Sequence, residues 1–227
     1  MNGTMRKFIL AAALLAATSA PAVAAPSGIF GTNETRHSTI GAFRKWTDML
    51  ARNSGDNGSS IPARKASPAS GGLPQSGRCL ASSPADCARP TWGKLIESLR
   101  GLDRRAQIET VNRELNRIPY ILDKDNWGVS DYWATAEEFL EHDGDCEDYA
   151  IAKYMALKAA GVPASDMRIV VLQDLNLGIA HAVLAVRHGT QWLILDNQIK
   201  EVMPDKAIVH YRPIYSINEQ HWWLHQE

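Results

Sequence analysis

Apolar residues return at helical spacing at Ile40, Phe43, Trp46 and Leu50, which predicts a short amphipathic helix early in the chain. The pattern then stops. Over residues 53–77 serine, glycine, proline and alanine dominate with almost no large apolar side chain, and the stretch reads as a flexible surface excursion. Helical periodicity resumes at Trp92, Leu95, Ile96 and Leu99, and again at Ile108, Val111, Leu115 and Ile118 before Pro119 ends the run. A further helix is predicted over 145–160, with Ala150, Tyr154 and Leu157 on one stripe, Ile151 and Met155 beside it, and Gly161 and Pro163 as stop signals. Beyond it the period becomes that of extended chain, at 169–172, 182–186, 192–195 and 209–217. Helices first and strands after predict an α+β fold. Short strand connections without crossover helices predict a largely antiparallel sheet.

The N-terminal residues change the picture of where the chain works. Arg6 and Lys7 precede an apolar run over 8–17, and Ala22-Val23-Ala24 supplies a small-residue cleavage signal, so 1–24 reads as a secretory signal peptide cut after Ala24. The run falls short of the roughly 20 apolar residues a spanning helix needs, so no stable membrane insertion is expected. Residues 25–89 then form an N-terminal extension holding the short helix and the Ser/Gly/Pro-rich segment, and 90–227 hold the main core. A net charge of −1 gives no reason to expect nucleic acid as a partner. Export makes the three cysteines informative, because an oxidising compartment pairs thiols. Cys79 and Cys87 are close enough in sequence to close a small disulfide loop. Cys146 is left over, either a reactive thiol or an intermolecular bridge.

Cys146 stands in Asp143-Gly144-Asp145-Cys146-Glu147-Asp148, where a loop turns into the 145–160 helix. Asp145 suits the N-cap, with Asp148 three residues on in an acidic variant of the capping box, and Cys146 takes the first helical position. Free N–H groups and the positive end of the helix dipole favour a thiolate there and can hold an oxyanion. The surrounding carboxylates oppose this by raising the thiol's pKa, so a positive neighbour is needed. An imidazolium would serve, and so would Ca²⁺, which suits clustered carboxylates and would be bound by Asp145 and Glu147. On spacing alone a merely solvated acidic first turn fits equally well. Upstream, Asp123-Lys124-Asp125-Asn126-Trp127-Gly128 opens like an EF-hand loop but fails at Trp127 and at Ala134, where oxygen ligands belong, although Asp131 remains free to help a different site.

A cysteine nucleophile needs a base, and the base needs an orienting group. His181 begins one predicted strand, and the next ends in Asp196-Asn197. If the connecting turn through His188-Gly189-Thr190-Gln191 has two or four residues, position 181 faces 198 and Asp196 is its diagonal neighbour. A three-residue turn brings Asn197 to that face instead. The order Cys, His, acid or amide is that of a cysteine acyl-transfer enzyme.

Together the stretches Asp131-Tyr132-Trp133-Ala134-Thr135, Gly144-Asp145-Cys146-Glu147-Asp148-Tyr149-Ala150-Ile151-Ala152-Lys153-Tyr154, His181-Ala182-Val183, Leu195-Asp196-Asn197 and Tyr215-Ser216-Ile217-Asn218-Glu219 resemble the bacterial transglutaminase-like cysteine proteinases. The resemblance covers roughly 92–223. It implies a papain-like or transglutaminase-like core with the cysteine helix packed on an antiparallel sheet. By the same resemblance Cys146 is the nucleophile, His181 the general base and then acid, Asp196 the orienting acid, and Asp145 and Glu147 are the calcium ligands. Among the adhesin-releasing members of that family the enzyme is periplasmic, its substrate is the N-terminal region of a large surface adhesin, and an inner-membrane cyclic di-GMP receptor sequesters it to control biofilm attachment. The chain departs from the family pattern at Ala136, where proline is expected, and at His142-Asp143, which replaces a glycine-rich approach. Two readings stand beside the endopeptidase: a transglutaminase-type acyl transferase with the same triad, and a non-catalytic calcium-dependent binding module. Trp222 and Trp223 are adjacent, and since both are unlikely to point inward, one of them is a candidate docking residue.

Overall fold

The computed structural model describes residues 28–55 and 90–226. Residues 1–24, expected to be a signal peptide, most of the Ser/Gly/Pro-rich segment, and both Cys79 and Cys87 lie outside the described residues. The described chain runs from strand β1 (Asn33–His37) and helix α1 (Arg44–Asn53) to α2 (Trp92–Ser98), α3 (Arg104–Leu115), α4 (Asp123–Asn126), α5 (Ala136–His142) and α6 (Cys146–Ala159). Strands β2 (Met167–Asp174), β3 (Ile179–His188), β4 (Gln191–Leu195), β5 (Met203–Pro204), β6 (Tyr211–Ile217) and β7 (Trp222–Gln226) follow. They form a single sheet of order β1-β7-β6-β2-β3-β4-β5 in which every neighbouring pair is antiparallel. The chain is α+β, with the cysteine-bearing helix on an antiparallel sheet. None of the described helices is long and apolar enough to cross a membrane.

Helix α6 is the centre of the packing. It is buried from Asp148 to Leu157, because α3 and α5 lie on one side of it and β2 and β3 on the other. Strand β3 carries a continuous apolar run for the same reason: Leu184 and Val186 join the core under α6, whereas Val183 and Ala185 join a second core on the opposite face, closed by Ile29, Ile208 and Tyr211. α5 starts without the expected proline. Thr135 caps it, accepting from the Glu138 N–H at 3.2 Å while the Glu138 carboxylate accepts from the Thr135 N–H at 2.7 Å, and Ala136 fits the first turn with 1% exposure.

Residues 28–55 are integral to this fold. α1 is the predicted amphipathic helix, and Trp46 on it is fully buried in the main core, its Nε1 donating to the Asn218 carbonyl at 3.1 Å. β1, which no sequence pattern announced, zips onto β7. Beside it Arg168 stacks on Trp223 with its guanidinium 3.6 Å from the ring centroid and pairs with Glu34 at 2.8 Å. His225 bonds Ser216 Oγ at 2.9 Å and Thr32 Oγ1 at 2.8 Å.

This arrangement makes the sheet edge sensitive to acid. Burial pushes the His225 imidazole down to about 4, against a partial upward pull from Glu34 and a further push down from Arg168. A histidine depressed in the folded state binds more protons unfolded, so its contribution is complete above pH 6.5 and is lost as pH falls toward 4. Stability is expected to drop across that window by on the order of 2 kcal/mol from this group. Denaturant titrations from pH 7 to pH 4 on the protein and on His225→Gln check it; equal slopes for the two would refute it.

Candidate active site

The site forms where α6 begins. Asp145 is the N-cap, and the Asp148 carboxylate reaches back to the Asp145 N–H at 3.3 Å, as the acidic capping box predicts. Gly144 makes room for it: a Cβ there would lie 2.3 Å from Asp148 Oδ2. Just before, Asp143 has φ 68° and ψ −174°, a conformation that is nearly exclusive to glycine. Asp143 thus holds a backbone shape that glycine takes more readily. A bridge between Tyr120 and Gly144, with the Ile121 N–H donating to the Gly144 carbonyl at 3.0 Å, brings the segment from Tyr120 to Asp123 alongside.

Cys146 is a free thiol, half-buried, at the first position of α6. Its Sγ donates to Glu147 Oε2 at 3.1 Å and accepts the backbone N–H of Ala182, the residue after His181 on β3. Burial, then the charge and hydrogen bond of Glu147, then Asp145, push the thiol well above its ordinary range, and the Ala182 N–H offsets only part of this.

The β3–β4 ladder pairs His188 with Gln191, so the turn is the two-residue one, Gly189-Thr190. That register brings Asp196, rather than Asn197, to His181. Asp196 Oδ1 lies 2.9 Å from His181 Nε2, and both residues are almost fully buried. Three further groups fix the acid: the Tyr211 hydroxyl donates to Oδ2 at 2.6 Å, the Gln198 N–H donates to Oδ1 at 2.9 Å, and Asn116 Nδ2 donates to its backbone carbonyl at 2.6 Å. Burial alone would raise the Asp196 carboxyl, but the hydrogen bond and charge of His181, with Tyr211 and Gln198, hold it below the usual carboxylate value. An ionised acceptor at Nε2 keeps the proton on that nitrogen and leaves the lone pair on Nδ1. The Gln198 side-chain nitrogen lies 3.4 Å from Nδ1.

Around the thiol the acids form one cluster. Carboxylate oxygens of Asp123, Asp131 and Glu147 lie within 4.8 Å of one another, as do those of Asp123, Asp145 and Asp148, and those of Asp145 and Glu147 with the Cys146 sulfur. Asp145 Oδ1 and Asp123 Oδ1 are buried without a hydrogen-bond partner. Burial raises the carboxyls of Asp145, to about 8, and Asp123, to about 7, with neighbouring acids adding to both. The five residues offer oxygen alone, the donor set of a hard cation. Asp123 and Asp131 come from the segment that fails as an EF-hand; they meet the α6 acids through the Tyr120–Gly144 bridge, a long-range contact that no local spacing reveals. Tyr211 was likewise invisible, since nothing in its own strand marks it as a partner of Asp196. A cavity of about 350 Å³ lined by Phe43, Trp46, Trp133 and Tyr215 opens at Asp131, which pairs with Lys45.

No curated protein matches the chain. Among solved structures it is similar to LapG of Legionella pneumophila, at 38% identity over 59% of this chain and 75% of that one, with a TM-score of 0.54. Calcium-bound and EGTA-treated forms of the same Legionella protein match at 37% identity, covering 60% of this chain and 78% and 75% of theirs, with TM-scores of 0.54 and 0.55. The family model of the bacterial transglutaminase-like cysteine proteinases matches residues 79–226. With a helix-end thiol beside a buried His181–Asp196 pair, and a family match over most of its length, this chain belongs to the bacterial transglutaminase-like cysteine proteinases and is a cysteine peptidase.

Proposed function

We propose that the protein is an exported, calcium-dependent cysteine endopeptidase that cuts the N-terminal region of a large surface adhesin. Cys146 is its nucleophile, His181 its general base and then acid, and Asp196 the residue that orients His181. The observation that carries the catalytic reading is the His181–Asp196 hydrogen bond on the strand whose next N–H meets the Cys146 sulfur. His181 Nδ1 takes the thiol proton as the sulfur attacks the peptide carbonyl carbon. N–H groups at the start of α6 receive the oxyanion, and the imidazolium then gives its proton to the leaving amine. Water, deprotonated by His181, hydrolyses the thioester and frees the thiol.

The acidic cluster supports the calcium reading, because it leaves buried carboxylate oxygens without partners beside the sulfur. Asp145, Glu147, Asp123 and Asp131 would hold the ion, and a bound cation would supply the positive charge that the thiolate lacks. Asp148 is less available, since its two oxygens already accept from Ala134 and Asp145 N–H groups. The adhesin substrate, the periplasmic location and control by an inner-membrane cyclic di-GMP receptor rest on the family resemblance.

Incubating mature protein with the N-terminal region of the host's largest secreted repeat adhesin tests the reading. Cleavage is expected with calcium, loss with chelator and recovery on adding calcium back. Calorimetry is expected to show calcium binding that Asp145→Ala, Glu147→Ala weakens by more than about tenfold, the scale of losing charged ligands. Calcium-independent cleavage would remove the metal from the proposal, and incorporation of labelled amine in place of cleavage would make the enzyme a transglutaminase.

A further inference from the structure

The cavity of about 350 Å³ beside the acids that flank the thiol has no part in the chemistry described above. Its walls are four aromatic side chains from three separate parts of the chain: Phe43 and Trp46 at the start of α1, Trp133 before α5, and Tyr215 on β6. They brace one another. The Phe43 and Tyr215 ring centroids are 5.0 Å apart, and Trp46 meets Trp133 edge-on at 6.3 Å. Polar bonds behind the rings hold them in place: Trp46 Nε1 donates to the Asn218 carbonyl, and the Arg52 guanidinium donates to the Trp133 carbonyl. A preformed space of this size with aromatic walls has the character of a ligand pocket. Its mouth is where the exposed lining residues stand, Ala42 and the Lys45–Asp131 ion pair.

That mouth is joined to the reaction centre through one acid. A carboxylate oxygen of Asp131 lies within 4.8 Å of one of Glu147, and Glu147 Oε2 accepts from the Cys146 sulfur at 3.1 Å. A peptide cut at Cys146 runs on past the thiol in extended form, at roughly 3.3 Å per residue, so a side chain about two or three residues from the scissile bond reaches the cavity. Against four rings a charged side chain loses its hydration without return, whereas an aliphatic or aromatic one gains by burial. We propose that this cavity is a specificity subsite of the peptidase and that its occupant is a large apolar side chain of the substrate, about two or three residues from the cut. The inference rests on the peptidase reading above and adds what the enzyme selects. It also gives the segment before α2 a share in substrate choice, through Ala42, Phe43 and Trp46, besides its part in the core.

Two variants change the cavity in opposite senses. Ala42→Trp fills it from an exposed position, so no buried contact is given up, and Phe43→Ala removes one wall. Digestion of a proteome-derived peptide library by the mature protein with calcium, read by mass spectrometry, gives the residue preferences around the cut. Leucine, methionine and phenylalanine are expected to be enriched over alanine at one position within about three residues of it. For peptides differing only in leucine or alanine there, the ratio of kcat/KM is expected to fall at least about tenfold in Ala42→Trp, chiefly through KM, the scale of losing the burial of one such side chain. In Phe43→Ala the preference is expected to move toward tryptophan, and this variant decides if Ala42→Trp does not fold. Absence of an apolar preference near the cut, or one that the folded variants leave unmoved, overturns the proposal and leaves the cavity to a partner other than the substrate. Fluorescence anisotropy on Cys146→Ala protein reads the same subsite without turnover, using labelled serine–alanine dodecapeptides with and without a leucine at every third position. The leucine peptides are expected to bind more tightly, and adding Ala42→Trp to remove the difference. If no peptide is cut, the peptidase reading fails and the anisotropy decides this one: leucine peptides that bind no better than the others, or equally well with Ala42→Trp, overturn it.

Discussion

Alanine at position 146 is expected to cut peptide-bond cleavage by at least about 10⁴-fold, the scale seen when the nucleophile of a catalytic triad is removed. The chemistry at the start of α6 has one atom that can form a thioester, and removing it leaves His181 with a proton acceptor's geometry and nothing to deprotonate. The fold should hardly notice. Cys146 is half-buried, and its sulfur makes one hydrogen bond to Glu147 and accepts one from Ala182, while the turn that starts the helix is held by Gly144, Asp145 and Asp148. Thermal unfolding of Cys146→Ala within about 4 °C of the parent, together with loss of cleavage, is the expected pair of results. A variant that folds and still cleaves would end the mechanism.

Asp196→Asn should cost nearly as much in kcat, about 10³-fold, for a different reason. Asp196 accepts from His181, Tyr211 and the Gln198 N–H at once. An amide has one oxygen for these donors and turns its NH₂ toward one of them. If that NH₂ meets His181, the imidazole must carry its proton on Nδ1, the nitrogen that has to receive the thiol's proton. Single-turnover kinetics should place the loss before the thioester forms, and ring-nitrogen NMR should show the exchanged tautomer. Loss confined to thioester hydrolysis, with the tautomer unchanged, would contradict the orienting role.

The helix that carries Cys146 was legible because its signals are local: an acid at the N-cap, a second acid three residues on, a glycine at the end. The His181–Asp196 pairing was legible up to a choice of turn length, and the two-residue turn at Gly189-Thr190 decides it. Other features depend on contacts between residues far apart in the chain, where periodicity carries no information. β1 becomes a strand because β7 offers it an edge, and Asp123 becomes part of the acid cluster because the Tyr120–Gly144 bridge carries it there. Trp222 and Trp223 show a third case. Adjacent strand residues point to opposite faces, which would expose one of the two on a sheet covered on one side only. Here both faces are covered: Trp222 lies against His37 and Phe43, and Trp223 under Arg168. Trp223 is buried and Trp222 partly buried.

The pairing of β1 with β7 also has a bearing on how the molecule comes to be folded. It joins Asn33 to Gln226, residues far apart in the chain, and β7 is held between β1 and β6. Contacts of such high sequence separation are slow to form because the loop they close is long. The sheet edge, and with it the Trp46 bond to the Asn218 carbonyl, can be completed only once β7 is present. A folding chain that has already packed α6 on the β2–β3 hairpin therefore still lacks this closure until β7 takes its place between β1 and β6.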